Sequence, residues 1–426
     1  MILVRGGFPM ELWHIRGGNR LEGTCAVQGS KNASLPVLAA SILCPVRCEL
    51  KNVPQLRDVD AALRILRHLG CTAEQSGGDV YIDSTTLSGC CIPHALMEEM
   101  RSSVIFMGAL VARCGEARLS LPGGCQLGKR PIDLHLAALR RIGVRILEDG
   151  EEIRCLPGRL RGTEIVLPFP SVGATENAML AACGARGETV IRGAAREPEI
   201  AALQSFLRRL GADVEGAGEE RIRIRGMTPR RQLVARMIPD RIVAATLACA
   251  AAGTGGDVEL RGVDGIQISP VLHFLNQAGC DIINSERTVR IRSDGRLRAV
   301  EPVVTAPYPG FPTDAQPLLM AALLRAEGTT VITETIFENR YRQVPELRRL
   351  GADIRVDGRR AEVRGVKRLQ GAALRATDLR GGAAMILAGL AAEGETLVCD
   401  DGHVTRGYER FDRQLRALGA DIELET

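Results

Sequence analysis

The chain has 426 residues, of which 45% are hydrophobic and 25% charged, a balance that is typical of folded globular proteins and argues against a disordered or fibrous protein. This length predicts two domains. Basic and acidic residues nearly balance, with a net charge of +4 and no long basic run, and only 3% of residues are aromatic. Nucleic-acid binding is therefore not expected.

Hydropathy and cysteine usage narrow the class further. The longest apolar run, residues 242–252, is far shorter than the roughly 20 residues of a membrane-spanning helix, so no membrane insertion is expected. Residues 1–9 do not resemble a signal peptide, and either Met1 or Met10 is a plausible start. The 13 cysteines are scattered and form no Cys-x-x-Cys pair, which indicates a cytoplasmic protein with reduced thiols and predicts no metal or other cofactor.

One pattern recurs six times along the chain: an amphipathic helix ends at a glycine and a strand follows. Glycine takes the left-handed conformation that closes a helix. Each unit also has a second, Ala- and Leu-rich helix upstream, followed by a turn and a strand, so the units are predicted to be βαβαβ-like. The glycines, about 70 residues apart, are Gly70, Gly143, Gly211, Gly279, Gly351 and Gly419.

Units of this size are too small to be stable alone, so we expect three to pack around a shared interior in each domain. This predicts an α/β protein with an N-terminal domain of residues 31–236. The C-terminal domain is expected to contain residues 11–30 and 237–426, with the isolated strand at residues 11–16 completing it. A cleft between the domains is the expected ligand site.

Polar residues stand at the starts of the six upstream helices. Ser, Thr and Asp are common helix caps, and capping alone is the simpler explanation for Asp240 and Thr377. Helix N-termini also attract anions, so Lys31, Arg101 and Arg380 suggest phosphate or carboxylate sites. The starts are Ser30 to Asn32, Arg101 to Ser103, Ser171 to Gly173, Asp240 and Arg241, Thr313 and Asp314, and Thr377 to Arg380.

A glycine-rich loop within residues 121–135 carries a cysteine, Cys125, followed by Lys129 and Arg130. Glycines let a loop approach a ligand, and nearby positive charge favours the thiolate. The same residues also fit a surface turn with an incidental cysteine. Both interpretations stay open on this segment alone.

Eight short segments carry a resemblance to a known family: residues 28–36, 100–103, 121–135, 195–199, 312–314, 337–340, 377–380 and 406–409. Together they resemble the UDP-N-acetylglucosamine 1-carboxyvinyltransferases of the enolpyruvyl transferase family. The resemblance is nearly full length. It implies an inside-out α/β barrel in each domain and transfer of enolpyruvate from phosphoenolpyruvate to the 3-hydroxyl of UDP-N-acetylglucosamine, releasing phosphate in the first committed step of peptidoglycan precursor synthesis. The eight segments stand in the order that the family has.

The resemblance also implies roles for single residues. Cys125 would protonate C3 of phosphoenolpyruvate and can bond to C2, Asp314 would take the sugar hydroxyl proton, and Lys31 and Arg406 complete the catalytic set. Glu197 and Glu338 would either join the chemistry or orient arginines. For Val172 and Ile336, ordinary packing is an equal alternative. The implied substrate-binding residues are Lys31, Asn32, Arg101, Arg130, Pro131, Ile132, Asp133, Leu134, Ser171, Val172, Asp314, Ile336, Arg340, Arg380 and Arg406.

Two other functions remain as alternatives. The 5-enolpyruvylshikimate-3-phosphate synthases share the six-unit architecture, but they lack the cysteine loop and have Lys-Ser where this chain has Lys31 and Asn32. A non-catalytic paralogue that binds UDP-sugar is the other.

No obligate protein partner is expected, and the glycines of residues 123–128 predict a loop that closes over the ligand. Thr405, Val304 and Val243 depart from the family pattern.

Overall fold

A computed structural model describes residues 10–120, 132–230 and 232–426, with the backbone alone at Arg101. Short, alternating or apolar segments form its strands. In the described ranges these are β1 (Glu11–Arg16), β2 (Glu22–Ala26), β3 (Arg47–Lys51), β4 (Thr72–Ser76), β5 (Asp79–Asp83), β6 (Cys91–Ile92), β7 (Ala117–Ser120), β8 (Arg145–Asp149), β9 (Glu152–Leu156), β10 (Glu164–Val166), β11 (Thr189–Arg192), β12 (Ala212–Glu215), β13 (Arg221–Met227), β14 (Gln232–Arg236), β15 (Asp257–Arg261), β16 (Asp281–Ser285), β17 (Thr288–Arg292), β18 (Val303–Val304), β19 (Thr329–Thr333), β20 (Asp353–Asp357), β21 (Arg360–Arg364), β22 (Ala373–Arg375), β23 (Glu395–Asp400) and β24 (Asp421–Glu425).

The helices alternate with these strands. Short 3-10 turns lie at Arg101–Ile105, Gly265–Ile268, Thr313–Ala315, Leu323–Arg325 and Val404–Arg406. The α-helices are α1 (Lys31–Ala40), α2 (Arg57–His68), α3 (His94–Glu99), α4 (Phe106–Cys114), α5 (Asp133–Ile142), α6 (Val172–Ala182), α7 (Pro198–Leu210), α8 (Arg241–Thr254), α9 (Ser269–Gln277), α10 (Gln316–Ala322), α11 (Val344–Arg349), α12 (Leu379–Leu390) and α13 (Phe411–Ala417).

The strands of the described ranges form six four-stranded sheets that share one plan. In every sheet one pair is parallel and two pairs are antiparallel. The orders are β14-β3-β5-β4, β6-β7-β9-β8, β10-β11-β13-β12, β2-β15-β17-β16, β18-β19-β21-β20 and β22-β23-β1-β24.

Contacts separate the chain into two compact units, one within residues 29–238 and one comprising residues 10–28 and 239–426. We call them the first and the second unit. Each has its own hydrophobic core and three of the sheets. The sequence prediction placed these breaks at 30/31 and 236/237.

The helices that follow the polar starts lie inside the units. In α8 every residue from Arg241 to Ala252 is buried, and in α6 every residue from Ala174 to Ala182. Both helices are buried on all sides and most of their residues are apolar, as expected for helices that protein surrounds. Their small alanine side chains let neighbouring elements approach. The sheets present alternating faces around these helices, so each unit is an inside-out α/β barrel, as predicted.

The six repeated glycines have the predicted conformation, and each sheet has one strand more than the predicted unit. All six repeated glycines have positive φ, between 90° and 110°, the conformation expected for helix closure. Each sheet, however, contains a fourth strand that the three-strand unit did not include. In β4 and β5, for example, the extra strand follows a tight turn at Gly77 and Gly78, a hairpin too short to be distinguished from one strand by periodicity.

Strands distant in sequence complete three of the sheets. β1 inserts between β23 and β24, so residues 11–16 form a central strand of a sheet in the second unit. β2 pairs with β15, and β14 pairs with β3. Among the residues that the structure describes, no helix has the length and apolar character needed to cross a membrane.

Candidate functional site

In the second unit, a carboxylate lies between two arginines at the start of α10. Asp314 Oδ1 accepts a hydrogen bond from Arg340 Nη2 (3.3 Å), and Oδ2 accepts from Arg380 Nη2 (3.1 Å) and Nε (3.3 Å). The Asp314 side chain is 31% exposed, whereas those of the arginines are 1% and 5% exposed. The two guanidinium groups therefore hold the carboxylate in place from the protein side and leave part of it accessible to a ligand.

Arg340 also fixes the backbone that carries Asp314. Its Nε and Nη2 donate to the Thr313 carbonyl oxygen at 3.1 and 2.9 Å, and its Nη1 lies 3.7 Å from Asp378 Oδ1. A buried guanidinium is tolerated only when such partners compensate for lost hydration. In the structure Arg340 therefore fixes the position of Asp314 through hydrogen bonds. The contact between Arg340 and substrate stays a prediction.

Arg380 lies in the first turn of α12, which Asp378 caps by accepting the backbone N–H of Arg380 and of Gly381. Its guanidinium stacks over the Tyr408 ring, 5.3 Å from the centroid. Burial works to lower the pKa of Arg380, but the electrostatic influence of Tyr408, Asp314 and Asp240 outweighs it and the pKa is raised. Arg380 therefore stays protonated.

One nitrogen of this guanidinium differs from the other two in its hydrogen bonding. Arg380 Nη1 is buried and has no hydrogen-bond partner among the described residues. A buried donor without a partner is costly, and such a group at a helix start suits an anionic ligand.

Arg406 lies in the 3-10 turn Val404–Arg406 and is half-buried. Gln28 holds the chain that follows it, since Gln28 Nε2 donates to the Gly407 carbonyl oxygen (3.2 Å) and Gln28 Oε1 accepts from the Glu409 N–H (2.8 Å). Tyr408 lies between these two contacts, and its hydroxyl is 2.9 Å from Thr246 Oγ1. The segment with Arg406 is thus fixed to the strand-end residue Gln28 by two backbone contacts.

Ile336 lies in the loop after β19, half-buried, and its N–H donates to Glu334 Oε1 at 2.8 Å. Sequence reasoning selected Ile336 and missed Glu334. No motif singles out Glu334, because a glutamate at a strand end is ordinarily exposed, and its burial becomes evident only once its partners are placed.

In the first unit, Lys31 is the first residue of α1. Its Nζ lies 3.1 Å from Asp58 Oδ2, and the side chains are only 11% and 6% exposed. Ser30 caps the helix by accepting the Ala33 N–H at 3.2 Å, as expected for that position. Asn32, in the same turn, is half-buried.

The other predicted sugar-binding residues of the first unit lie at the starts of α5 and α6. Ser171 caps α6 through the Ala174 N–H (3.4 Å), and Val172 packs against the core. The start of α5 contains half-buried Ile132 and Leu134 on either side of exposed Asp133.

His135 joins these two helix starts. Its Nδ1 lies 2.7 Å from Asn177 Nδ2, and a Cβ at Gly173 would lie 2.8 Å from its Cε1, so a larger residue at 173 would force the ring to move. Asn177 also accepts the Gly108 N–H (2.7 Å) and donates to the Val104 carbonyl (3.1 Å). Burial lowers the pKa of His135 to about 4, so the ring is neutral at physiological pH.

The sequence left two roles open for Glu197 and Glu338: part in the catalysis, or the orientation of arginines. Glu197 is buried at the start of α7, and Glu338 is exposed. Burial, together with the charges of Glu199 and Glu197, raises the pKa of fully buried Glu176 well above its usual value. These carboxylates therefore lie close enough to favour a proton on one of them.

Some predicted residues lie outside the described residues. They include Cys125, Arg130, Pro131 and the expected closing loop of residues 123–128, together with the side chain of Arg101. Within the ranges that are described, no group of three or more His, Cys, Asp or Glu side chains is arranged to hold a metal ion.

Comparison with known proteins identifies the family. Residues 15–415 match the family described as EPSP synthase (3-phosphoshikimate 1-carboxyvinyltransferase). A protein of Caldanaerobacter subterraneus subsp. tengcongensis, named UDP-N-acetylglucosamine 1-carboxyvinyltransferase 2, is 48% identical over 97% of this chain and 99% of its own length. The chain belongs to the UDP-N-acetylglucosamine 1-carboxyvinyltransferase family.

Further similarities agree with that family. UDP-N-acetylglucosamine 1-carboxyvinyltransferase 1 of Symbiobacterium thermophilum is also 48% identical, over 97% of this chain and 95% of its own. The crystal structure of the enolpyruvyl transferase NikO from Streptomyces tendae superposes with a TM-score of 0.88 at 28% identity, covering 98% of this chain and 99% of that one. The chain therefore has the enolpyruvyl transferase fold, and the shikimate-type alternative is the less specific match.

The departures from the UDP-N-acetylglucosamine 1-carboxyvinyltransferase pattern occupy different environments. The Thr405 hydroxyl donates to Glu11 Oε1 at 2.9 Å, and since Glu11 is itself buried, an acidic residue at 405 would add a repulsive neighbour. Val304 ends β18 and is half exposed, while Val243 is fully buried in α8. Neither valine contributes a polar group to the site.

Proposed function

We propose that this chain transfers the enolpyruvyl group of phosphoenolpyruvate to the 3-hydroxyl of UDP-N-acetylglucosamine and releases phosphate. The observation that carries the proposal is the partly exposed Asp314 carboxylate held by Arg340 and Arg380. Family membership at 48% identity over nearly the whole chain supports the same substrates.

Asp314 would act as the general base. A sugar hydroxyl must lose its proton as its oxygen attacks C2 of phosphoenolpyruvate, and a positioned carboxylate within hydrogen-bond reach can accept it. The arginines leave part of Asp314 exposed while fixing both of its oxygens, which limits its orientation before substrate arrives.

The phosphate and carboxylate of phosphoenolpyruvate would be held by cations at helix starts. Arg380 would use its Nη1, which has no partner in residues 10–120, 132–230 and 232–426. Lys31 and Arg406 occupy the first turn of α1 and the turn after β23. Guanidinium forks suit both anions and stabilise the charge that develops when phosphate leaves. Arg130 is assigned the same role by resemblance alone.

The bond changes balance in two stages. In the addition, Cys125 would give a proton to C3 while the sugar oxygen bonds to C2 and Asp314 takes the hydroxyl proton. In the elimination, C3 would give a proton back to the Cys125 thiolate, the bond between C2 and the phosphate oxygen would break, and the double bond would form again. The leaving phosphate would take the proton that Asp314 had accepted. A thiol beside positive charge suits the first step, and Cys125 takes this role from the resemblance.

The remaining residues would bind the UDP-sugar. Each of these assignments rests on family resemblance. They are Asn32, Arg101, Pro131, Ile132, Asp133, Leu134, Ser171, Val172, Ile336 and Arg340.

The product would be the first committed precursor of peptidoglycan, and we place the enzyme in the cytoplasm. The 12 cysteines in the described ranges are free thiols, which suits a reducing compartment.

Phosphate release tests the proposal. Purified protein is incubated with phosphoenolpyruvate and either UDP-N-acetylglucosamine or shikimate 3-phosphate, and free phosphate is followed with time. The proposal requires release with the UDP-sugar only. Release with shikimate 3-phosphate only would favour the related synthase, and binding of both substrates without release would favour a non-catalytic paralogue.

A further inference from the structure

Glu334 directly follows β19 and is 1% exposed, so its carboxylate is buried. Four uncharged donors surround it. Oε1 accepts from Thr305 Oγ1 (3.0 Å), Ile336 N–H (2.8 Å) and Phe337 N–H (3.0 Å), and Oε2 accepts from Thr313 Oγ1 (2.9 Å). A buried carboxylate is costly unless hydrogen bonds replace its hydration, so these four contacts are what makes the position tenable.

The two oxygens of Glu334 act on different segments. Oε1 closes the turn that contains Ile336, and Oε2 holds the Thr313 hydroxyl one residue before Asp314. The Thr313 carbonyl in turn accepts both hydrogen bonds from Arg340. One rigid side chain therefore connects the loop at Ile336 with the turn that carries the carboxylate.

Thr305 supports Glu334 from the neighbouring strand. Its hydroxyl donates to Glu334 Oε1 and accepts the Thr335 N–H at 2.8 Å. Because donors from two strand ends and one helix start meet on one carboxylate, a shift of any one would disturb the others.

We propose that Glu334 is a positioning residue that sets the distance between the base Asp314 and the sugar-contacting loop at Ile336. The inference rests on the proposed function and goes beyond it, because the buried Glu334 would act through Thr313 and the turn at Ile336. It assigns separate tasks to the two oxygens: Oε2 governs the placement of the base, and Oε1 governs the placement of the loop.

Three substitutions separate these tasks. Thr313→Val removes the contact to Oε2 and leaves the Ile336 turn intact, so we expect kcat to fall about tenfold with the Kd for UDP-N-acetylglucosamine within about twofold of wild type. Glu334→Ala removes both arms and should also raise that Kd about tenfold. Glu334→Gln keeps an acceptor for the three donors on Oε1 and donates to Thr313 Oγ1, so kcat should stay within about threefold.

Thr330→Val is the matched control. Thr330 lies in β19, the strand directly before Glu334, and is 1% exposed. Its hydroxyl accepts one backbone hydrogen bond, from the Val300 N–H at 3.1 Å. It should lower Tm as Thr313→Val does and leave both kcat and Kd unchanged.

Phosphate release gives kcat, calorimetric titration of UDP-N-acetylglucosamine alone gives Kd, and thermal melting confirms that each variant is folded. The inference is overturned if Thr313→Val keeps the wild-type kcat, or if Thr330→Val loses as much kcat as Thr313→Val does. The proposed function would stand in both cases. If wild-type protein releases no phosphate, the proposed function fails. The Kd of folded Glu334→Ala then decides alone, and an unchanged value overturns the inference.

Discussion

Arg380 and Asp314 form an ion pair with Nη2 of the arginine 3.1 Å from Oδ2 of the aspartate. The arginine is nearly buried and the aspartate partly exposed, although 66 residues separate them in sequence. Arg340 holds the other carboxylate oxygen. The pair therefore combines a fixed carboxylate with a guanidinium whose Nη1 has no hydrogen-bond partner in the part of the chain that the structure describes.

Asp314→Asn should lower kcat at least about 100-fold, because general-base catalysis typically contributes that much. The amide keeps the shape and one acceptor but cannot take the hydroxyl proton. Steady-state phosphate release gives kcat and KM, with KM for the sugar little changed. Asp412→Asn is the control, since Asp412 also pairs with an arginine, Arg416 in α13. Equal losses in the two variants would contradict the role of Asp314.

Arg380→Lys should raise KM for phosphoenolpyruvate about tenfold. Lysine can replace one contact with Asp314, but it cannot also present a fixed second donor to an anion. The initial rate at varied phosphoenolpyruvate measures the change. Arg375→Lys serves as the control because Arg375 pairs with Asp401 on the surface. An unchanged KM in a folded Arg380→Lys variant would argue that Arg380 does not bind the substrate anion.

Asp58→Asn should lower the free energy of unfolding by about 3 kcal/mol, since removing one partner of a buried ion pair weakens the compensation of the other charge. Asp60→Asn on the same helix α2 should change it by less than about 0.5 kcal/mol, because Asp60 is exposed and pairs with Arg64. Urea unfolding of both variants gives the comparison. Similar values would show that the contact between Lys31 and Asp58 does not stabilise the fold.

Glu176 should make stability depend on pH. Burial and the charges of Glu199 and Glu197 raise its pKa in the folded protein, so the folded state binds the proton more tightly than the unfolded chain. Its contribution is fully present below the unfolded value near 4.5 and is lost as pH rises. Glu176→Gln should therefore gain Tm relative to wild type as pH increases from 5 to 8.

Thermal melting at several pH values tests this, with Glu164→Gln as control. Glu164 is exposed, and its hydrogen bond from Arg192 lowers its pKa. Its contribution to stability is therefore complete above the unfolded value, and the difference in Tm between wild type and Glu164→Gln should stay constant from pH 5 to 8. A constant difference in Tm between wild type and Glu176→Gln would show that Glu176 does not hold an extra proton.

The sequence was sufficient for the repeated architecture because its signals are local. A glycine such as Gly211 closes a helix through its own backbone conformation, and the strand at residues 11–16 lacks neighbours with which to form a unit. The fourth strand of each sheet escaped prediction because a tight hairpin leaves no separate periodic signal.

The candidate site was only partly accessible from sequence. Asp314 and Arg380 could be selected because they stand at helix starts within recognisable segments. Their ion pair, and the burial of Glu334 among donors from Thr305 and Thr313, depend on how distant segments pack. No local pattern encodes that arrangement.

The most direct test of the central claim follows both products in one sample. Protein is mixed with phosphoenolpyruvate and UDP-N-acetylglucosamine, and proton and phosphorus NMR record the vinyl protons of the new sugar ether and free phosphate over time. The proposed function predicts that the two appear in equal amounts. Phosphate without the vinyl ether, or neither product from folded protein that binds both substrates, would contradict it.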